Sequence, residues 1–300
     1  MSSYTALPSA ALSWGRCGVM GIVNVTPDSF SDGGLWLDPG RAVAHGLELM
    51  AQGADLVDVG GESTRPGASR ITCEEELRRV LPVVRGLVEG GALVSVDTMR
   101  ARVARAAVDV GACLINDVSG GQADPDMAGV AARSDVPYVV MHWRGHSAAM
   151  DGLASYDDAR IDVVREVERQ VDAVVSAGVD PGRVIVDPGL GFAKDRDDDW
   201  ELLAGIDELT ALGFPVLVGA SRKRFLGTLL ADPVTGTPRP ARGRDAATTT
   251  VSGWAAARGA WAVRVHEVAD SADAVRVGSA LRRVETRDRR RVRTAVMSSH

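Results

Sequence analysis

The chain has 300 residues, of which 45% are hydrophobic and 25% charged, which is typical of a globular protein with a packed core and excludes collagen-like and wholly disordered chains. Its 34 basic and 40 acidic side chains give a net charge of −6, the wrong sign for a dedicated nucleic-acid binder or for a protein that binds an anionic membrane surface. The three cysteines lie far apart and no apolar stretch reaches the roughly 18 to 20 residues of a membrane span, so we expect a cytoplasmic protein with reduced thiols.

Short segments rich in Val, Ile and Leu recur along the chain, and a longer amphipathic stretch follows each of them. The simplest interpretation is a repeated strand and helix. The predicted strands are Val19–Val25, Asp55–Gly60, Ala92–Asp97, Ala112–Val118, Val136–His142, Arg183–Asp187, Pro215–Ala220 and Trp261–His266.

The helical patterns between these strands commonly end at a glycine, a residue that stops a helix at little cost. Predicted helices include Glu74–Glu89, Met99–Val110, Asp157–Ala177, Trp200–Leu212 and Ala246–Arg258, and the stop glycines are Gly53, Gly111, Gly178, Gly213 and Gly259. Alternating strands and helices favour a parallel sheet. Eight such units suit a closed barrel better than an open doubly wound sheet, and no G-x-G-x-x-G follows the first strand. We therefore predict an α/β protein, a single-domain (β/α)8 TIM barrel over residues 16–286.

Three segments fall outside this pattern. Residues 1–15 form an N-terminal extension, and residues 287–300 form a basic and then polar tail that we expect to be disordered rather than an interaction arm. The proline-rich stretch Asp232–Arg244 is typical of a loop.

Polar residues follow the ends of most predicted strands, where a barrel of this kind carries its chemistry. They are Asn24, Asp97, Asn116, Asp187, Lys223, Arg264 and His266. A single aspartate at a strand end is more often a helix N-cap or turn residue, so the argument depends on the whole set. Arg264 and His266 lie two residues apart on one strand and therefore share a face.

The mixture of these side chains constrains the ligand. Arg264 and His266 offer donors for phosphate-like oxygens, while Asp97, Asn116 and Asp187 can accept hydrogen bonds from a nitrogen-rich heterocycle. The sequence has no rigid metal cage and no G-x-S-x-G nucleophile elbow. Any metal is therefore expected to be a hard ion such as Mg²⁺, held mainly by substrate phosphates.

Two loops, over residues 24–34 and 62–67, mix Gly or Pro with Asp, Ser, Thr and Arg. This composition is typical of loops that close over a substrate, although plain surface connections are an alternative.

These loops carry a family resemblance. Residues 20–34 (MGIVNVTPDSFSDGG) and 60–67 (GGESTRPG) resemble the two signature loops of the dihydropteroate synthase family. Segments similar to its remaining motifs follow in order over about residues 18 to 280: 95–98 (SVDT), 116–121 (NDVSGG), 141–142 (MH), 187–192 (DPGLGF), 219–223 (GASRK) and 264–266 (RVH).

The resemblance implies a (β/α)8 transferase of folate biosynthesis and a sulfonamide target. Its members condense 6-hydroxymethyl-7,8-dihydropterin pyrophosphate with p-aminobenzoate by dissociative substitution with Mg²⁺, and are commonly homodimers. The implied pterin residues are Asp97, Asn116, Asp187 and Lys223, with Met141 and Gly219 lining the slot. Asn24, as metal ligand, Arg264 and His266 would hold Mg²⁺ and pyrophosphate, and Asp32 and Arg65 would complete the closed site. Thr64, Pro66, Phe30 and Ser221 are the implied p-aminobenzoate contacts, and Arg222 is a further implied substrate-binding residue.

Two alternatives stay open. A pterin-dependent methyltransferase would share the barrel and the pterin-binding Asp and Asn but would not need Arg264 and His266. A catalytically silent pterin-binding paralogue would be expected to have lost residues 64–66 or 221–223, which are intact here.

Overall fold

The computed structural model describes residues 12–26, 38–63, 70–146 and 150–297. Its eight strands fall where the sequence predicts them, each within three residues at either end. The strands are β1 Gly18–Asn24, β2 Leu56–Gly60, β3 Val94–Asp97, β4 Leu114–Asp117, β5 Tyr138–Met141, β6 Val184–Asp187, β7 Leu217–Val218 and β8 Ala262–Val265.

All neighbouring strands are parallel, and the sheet closes on itself. The order is β6-β5-β4-β3-β2-β1-β8-β7, so the first strand pairs with the last. A parallel bridge between Val186 and Val216 joins β6 to the start of β7. The predicted (β/α)8 barrel is confirmed, and its carboxyl-terminal strand ends form one rim.

Helices cover the outside of this sheet. They are α1 Pro39–Ala51, α2 Cys73–Glu89, α3 Ala101–Asp109, α4 Met127–Arg133, α5 Ala159–Ser176, α6 Arg196–Ala204, α7 Ile206–Ala211, α8 Arg224–Leu229, α9 Asp245–Arg258 and α10 Ala269–Met297. The five predicted stop glycines all have left-handed backbone, with φ between +85° and +112°. None of the described helices is long and apolar enough to cross a membrane.

One predicted helix is broken in two. The sequence favours a single helix over Trp200–Leu212, but α6 ends and α7 begins on either side of Gly205. A Cβ atom at Gly205 would lie 2.5 Å from Nε of Arg160, which pairs with Glu208 of α7. The close approach of this ion pair accounts for the glycine at the break.

The amino-terminal end of the barrel is plugged by apolar side chains. Leu12 is 1% exposed, and its carbonyl oxygen accepts a 3.1 Å hydrogen bond from Nε1 of Trp261. The rings of Trp14 and Trp261 lie 5.4 Å apart. Residues 12–15, which the sequence analysis assigns to an extension, therefore pack against the amino-terminal end of the barrel. The polar residues lie at the opposite end.

The last helix also departs from prediction, because α10 continues to Met297 where a disordered tail is expected from residue 287. The stretch from Ser279 to Met297 contains no glycine or proline, and seven of its residues are arginine, a strong helix former.

Candidate active site

A cavity of about 520 Å³ opens at the carboxyl-terminal ends of the strands. Every predicted site residue that the structure describes lines it: Asn24, Asp97, Asn116, Met141, Asp187, Gly219, Ser221, Arg222, Lys223, Arg264 and His266. The predicted loop residues Phe30, Asp32, Thr64, Arg65 and Pro66 lie outside the described residues. Residues from seven strands and the turns that follow them thus converge on one volume.

The floor of the cavity contains a hub that the sequence analysis missed. Asp58, in the middle of β2, is 0% exposed. Its Oδ2 accepts hydrogen bonds from Nδ2 of Asn116 at 3.0 Å and from Nε of Arg264 at 2.6 Å. A carboxylate in the buried strand LVDVG was the available signal, because an unpaired charge there would be costly.

Arg264 is shared between two carboxylates. Besides Asp58, its Nη2 donates to Oδ2 of Asp97 at 2.7 Å. Burial raises the pKa of Asp97 to about 7, although the guanidinium of Arg264 acts against this rise. Burial acts to lower the pKa of Arg264, but the two carboxylates outweigh it and raise that pKa. Arg264 is therefore a fixed cation that organises the floor as well as a donor facing the cavity.

Asp187 and Lys223 are a second set of opposite charges in the cavity, and they interact electrostatically. Oδ1 of Asp187 accepts a 2.7 Å hydrogen bond from the backbone N–H of Gly189. Lys223 donates to the carbonyl of Leu190 and lies 4.8 Å from the ring centroid of Phe192. Burial raises the pKa of Asp187, opposed first by Lys223, and burial lowers the pKa of Lys223 to about 8. Two ionisable groups with shifted pKa values in one cleft are typical of a functional site.

Ser221 orients the ring of His266. Its Oγ accepts the backbone N–H of His266 at 3.1 Å and lies 2.9 Å from Nδ1. Both contacts hold the imidazole against the backbone at the start of the turn after β7. Ser221 therefore orients His266, and its predicted contact with the substrate stays a prediction.

The turn that carries Arg222 is held by hydrogen bonds from helix α9 and from Arg244, the residue before this helix. Arg222 has φ +59°, and its guanidinium binds both carboxylate oxygens of Asp245 at 2.6 and 2.9 Å. Its N–H donates to Oγ1 of Thr248, and its carbonyl accepts from Nη1 of Arg244 at 2.8 Å. Asp245 and Arg244 carry no motif, so the sequence analysis did not single them out.

The base of the second signature loop is tied by one arginine. Arg100 Nη2 donates to Oε2 of Glu62 at 2.8 Å and to the carbonyl of Ile71 at 2.6 Å. Arg100 also pairs with Glu76, whose other oxygen accepts from Oγ1 of Thr98 at 2.6 Å. The chain on the two sides of this loop is thereby held together.

The donors for a metal are few within the described residues. No group of three or more His, Cys, Asp or Glu side chains there could hold an ion. Asn24 lies at the end of β1, and its Oδ1 faces the backbone of Gly60, 3.7 Å from where a Cβ would be. Such a site offers one neutral oxygen from the protein.

Comparison with known proteins agrees with this geometry. A family model described as pterin binding enzyme matches residues 20–266. The dihydropteroate synthase of Mycobacterium leprae is 54% identical over 260 residues, which cover 86% of this chain and 91% of that protein. The chain belongs to the dihydropteroate synthase family.

Two solved structures of dihydropteroate synthase from Xanthomonas albilineans share the fold. One, with 4-aminobenzoic acid, has 45% identity and a TM-score of 0.80, over 89% of this chain and 93% of that one. The other, in complex with 7,8-dihydropteroate, has 41% identity and a TM-score of 0.74 over the same shares. The resemblance seen in the signature loops is confirmed, and it makes this dihydropteroate synthase family member a transferase of folate synthesis.

Proposed function

We propose that this chain condenses 6-hydroxymethyl-7,8-dihydropterin pyrophosphate with p-aminobenzoate, giving 7,8-dihydropteroate and pyrophosphate. The observation that carries the proposal is that one cavity contains both hydrogen-bond acceptors for a heterocycle and cations for an anion. Acceptors for a nitrogen heterocycle, Asp97, Asn116 and Asp187, lie with the cations Lys223 and Arg264.

The floor of the cavity suits the pterin ring. Carboxylates of Asp97 and Asp187 accept hydrogen bonds from the amino and ring N–H groups, and the Lys223 ammonium donates to ring acceptors. Met141 and Gly219 line the same cavity and leave a slot for a flat ring. The Asp58 hub keeps Asn116 and Arg264 oriented before the ligand arrives.

The reaction separates charge, and the site has groups for both signs. As the bond between the pterin methylene and the pyrophosphate oxygen breaks, positive charge develops on the methylene and ring, where Asp97 and Asp187 stabilise it. Arg264 and His266 stabilise the departing oxygens. The amine of p-aminobenzoate forms the new C–N bond with its lone pair and then loses a proton. No covalent enzyme intermediate is needed.

A divalent ion fits the proposal as a partner of the substrate. Mg²⁺ prefers oxygen ligands and commonly takes most of them from substrate phosphates and water, so a single amide oxygen from Asn24 is a suitable protein contribution. Its charge would offset the negative charge of the leaving pyrophosphate.

The rim of the cavity is proposed to bind p-aminobenzoate. Ser221 and Arg222 line the cavity, and Phe30, Thr64 and Pro66 would border the p-aminobenzoate pocket from the two signature loops. Asp32 and Arg65 would complete the closed site. A homodimer and a cytoplasmic location belong to the same proposal.

The test is a pyrophosphate-release assay with Mg²⁺. Release should require both the pterin pyrophosphate and p-aminobenzoate, and dihydropteroate should form in equal amount. A silent paralogue would bind the pterin without turnover, and a methyltransferase would release no pyrophosphate. Either result would contradict the proposed function.

A further inference from the structure

The chain uses lysine at only two of its 34 basic positions, Lys194 and Lys223. Burial lowers the pKa of Lys194 to about 7 and that of Lys223 to about 8, and each ammonium interacts electrostatically with Asp187. Lys223 lines the cavity, whereas Lys194 lies behind it with 5% of its surface exposed. At every other basic position the chain has arginine, so both of its lysines lie near Asp187.

Lysine and arginine are not equivalent in such a place. An ammonium is a compact point charge with three donors in rotatable directions, while a guanidinium is a wide planar fork. At Lys194 the ammonium lies 2.9 Å from Nδ1 of His142 and donates to the carbonyl of Phe192 at 3.0 Å. The tight surroundings suit the smaller group.

The contact with Glu166 fixes the proton on His142. Hydrogen bonds from His142 and Arg144 hold the pKa of the Glu166 carboxyl well below its usual range, so this carboxylate only accepts; Nδ1 of His142 is then the acceptor for Lys194, and the ring proton lies on Nε2. That nitrogen is 2.8 Å from Oε2 of Glu166, which Arg144 also binds. Burial lowers the pKa of His142 to about 4, with Lys194 acting in the same direction. The ring is therefore neutral and locked between a cation and an anion.

The backbone of His142 supports the turn that carries Asp187. The N–H of His142 donates to the carbonyl of Asp187 at 2.8 Å. Gly189, with φ +67°, packs so closely that a Cβ would lie 2.4 Å from the carbonyl oxygen of His142 and 3.4 Å from Nζ of Lys194. Lys194 thus lies directly behind the turn whose N–H holds the Asp187 carboxylate.

The same lysine shapes the segment beyond this turn. Gly191 and Ala193 both have left-handed backbone, with φ +72° and +47°. Oδ1 of Asp199 accepts the N–H of Gly191 at 2.6 Å, and the hydroxyl of Tyr156 donates to the carbonyl of Ala193 at 2.7 Å. Between them Lys194 holds the carbonyl of Phe192, whose ring faces the cavity.

We propose that Lys194 is a positioning residue of the pterin site, which holds the Asp187 turn and the Phe192 segment through its ammonium and keeps the Asp187 carboxylate ionised for the ligand. The ligand class rests on the proposed function. Lys223 would touch the pterin, and Lys194 would act one layer behind through Asp187. The opposing influences on the pKa of Asp187 agree with this, because burial raises it and Lys223, Lys194 and Arg264 lower it.

The first test is Lys194→Met, which removes the charge at similar length. We expect at least a tenfold rise in KM for the pterin pyrophosphate and a KM for p-aminobenzoate within twofold of wild type. The matched control is Tyr156→Phe, which removes one hydrogen bond to the same segment without changing a charge. It should leave both KM values within threefold.

The pH profile separates an electrostatic role from a structural one. Removing a nearby cation raises the pKa of Asp187, so the acid limb of kcat/KM for the pterin substrate should move about one pH unit upward in Lys194→Met. It should not move in Tyr156→Phe. The charged groups that surround Lys194 and Asp187 are Arg144, Glu166, Asp199, Lys223 and Arg264, with neutral His142 between them. An unmoved limb together with an unchanged pterin KM would overturn the proposal.

A second measurement depends neither on turnover nor on Lys194→Met folding. Protein made with ¹³Cε-lysine gives two side-chain signals, and Lys223→Arg alone assigns both of them. Saturation with a 7,8-dihydropterin lacking the pyrophosphate should shift both signals. A Lys194 signal that stays in place while the Lys223 signal moves would refute the positioning role. Wild-type protein that shifts both signals but releases no pyrophosphate would count against the proposed reaction alone.

Discussion

Arg264 of β8 and Asp58 of β2 are joined by a 2.6 Å hydrogen bond from Nε to Oδ2 that passes across the middle of β1, where Met20 and Ile22 are their register partners. The sequence predicts Arg264 as a donor to anions, and its second partner, Asp97, belongs to the predicted pterin residues. The pair therefore links the part of the cavity proposed for the ring to the part proposed for the pyrophosphate.

Asp58→Asn should lower kcat/KM at least tenfold, because Arg264 loses a charged partner and Asn116 loses its fixed acceptor. We expect a stability loss of about 2 kcal/mol in urea unfolding, the usual cost of a hydrogen bond to a charged group. Asp55→Asn is the matched control, since Asp55 binds Arg16 through two hydrogen bonds at the opposite end of the barrel. It should lose stability and keep its kcat.

Asp97→Asn and Asp187→Asn should abolish turnover and leave the fold intact, because each exchanges a charge for a group of nearly the same shape. The pyrophosphate-release assay measures the effect, and circular dichroism checks the fold. More than about a tenth of wild-type activity in both variants, a loss below roughly 1.4 kcal/mol, would remove them from the mechanism. Asp109→Asn, at a surface ion pair with Arg105, serves as the neutral control.

Binding of p-aminobenzoate should depend on pyrophosphate. Arg264 and His266 supply donors for the anion, and the two signature loops would need it in order to close over the site. Calorimetry should show p-aminobenzoate binding only after pyrophosphate and Mg²⁺ are added. Equal affinity with and without pyrophosphate would contradict this order.

Asp32→Ala and Arg65→Ala should lower kcat much more than they weaken pterin binding. The pterin contacts Asp97, Asn116 and Asp187 in the floor, whereas loop residues that meet the substrate as pyrophosphate departs act mainly in the transition state. Calorimetry for pterin affinity and the release assay should be run on the same variants. Parallel losses in affinity and rate would argue against a closing loop.

His142 should stay neutral at every pH above about 5, because burial and Lys194 lower its pKa from 6.5 to about 4. A base whose folded-state pKa is depressed contributes stability above its unfolded pKa, and that contribution is lost as pH falls from about 6.5 to 4. The full effect is about 3 kcal/mol. The measurement is the difference in unfolding free energy between wild type and His142→Gln at each pH. Taking this difference cancels the opposite pH dependence that the raised pKa values of Asp97 and Asp187 give to both proteins. A difference that does not change with pH would refute the neutral ring.

Strand and helix periodicity was enough to predict the barrel, since eight buried runs followed by amphipathic helices allow few other folds. The motifs placed every described site residue in one cavity. The sequence could not show which residues lie behind the cavity lining and hold it in place. Asp58 and Lys194 become visible only when strands distant in the chain are brought together, because their partners are 206 and 52 residues away. The helix break at Gly205 likewise depends on a side chain from α5.

The hydrogen bond from Trp261 to the carbonyl of Leu12 joins residues 249 positions apart. A growing polypeptide cannot make this contact, or the pairing of β1 with β8, until almost all of the chain has been synthesised. The contact of Leu12 with Trp261 therefore forms last, and in partly made chains the apolar side chains at the amino-terminal end of the barrel stay uncovered. Contacts of such long separation slow folding. Nascent chains of this protein should consequently need protection from aggregation until the final strand has left the ribosome.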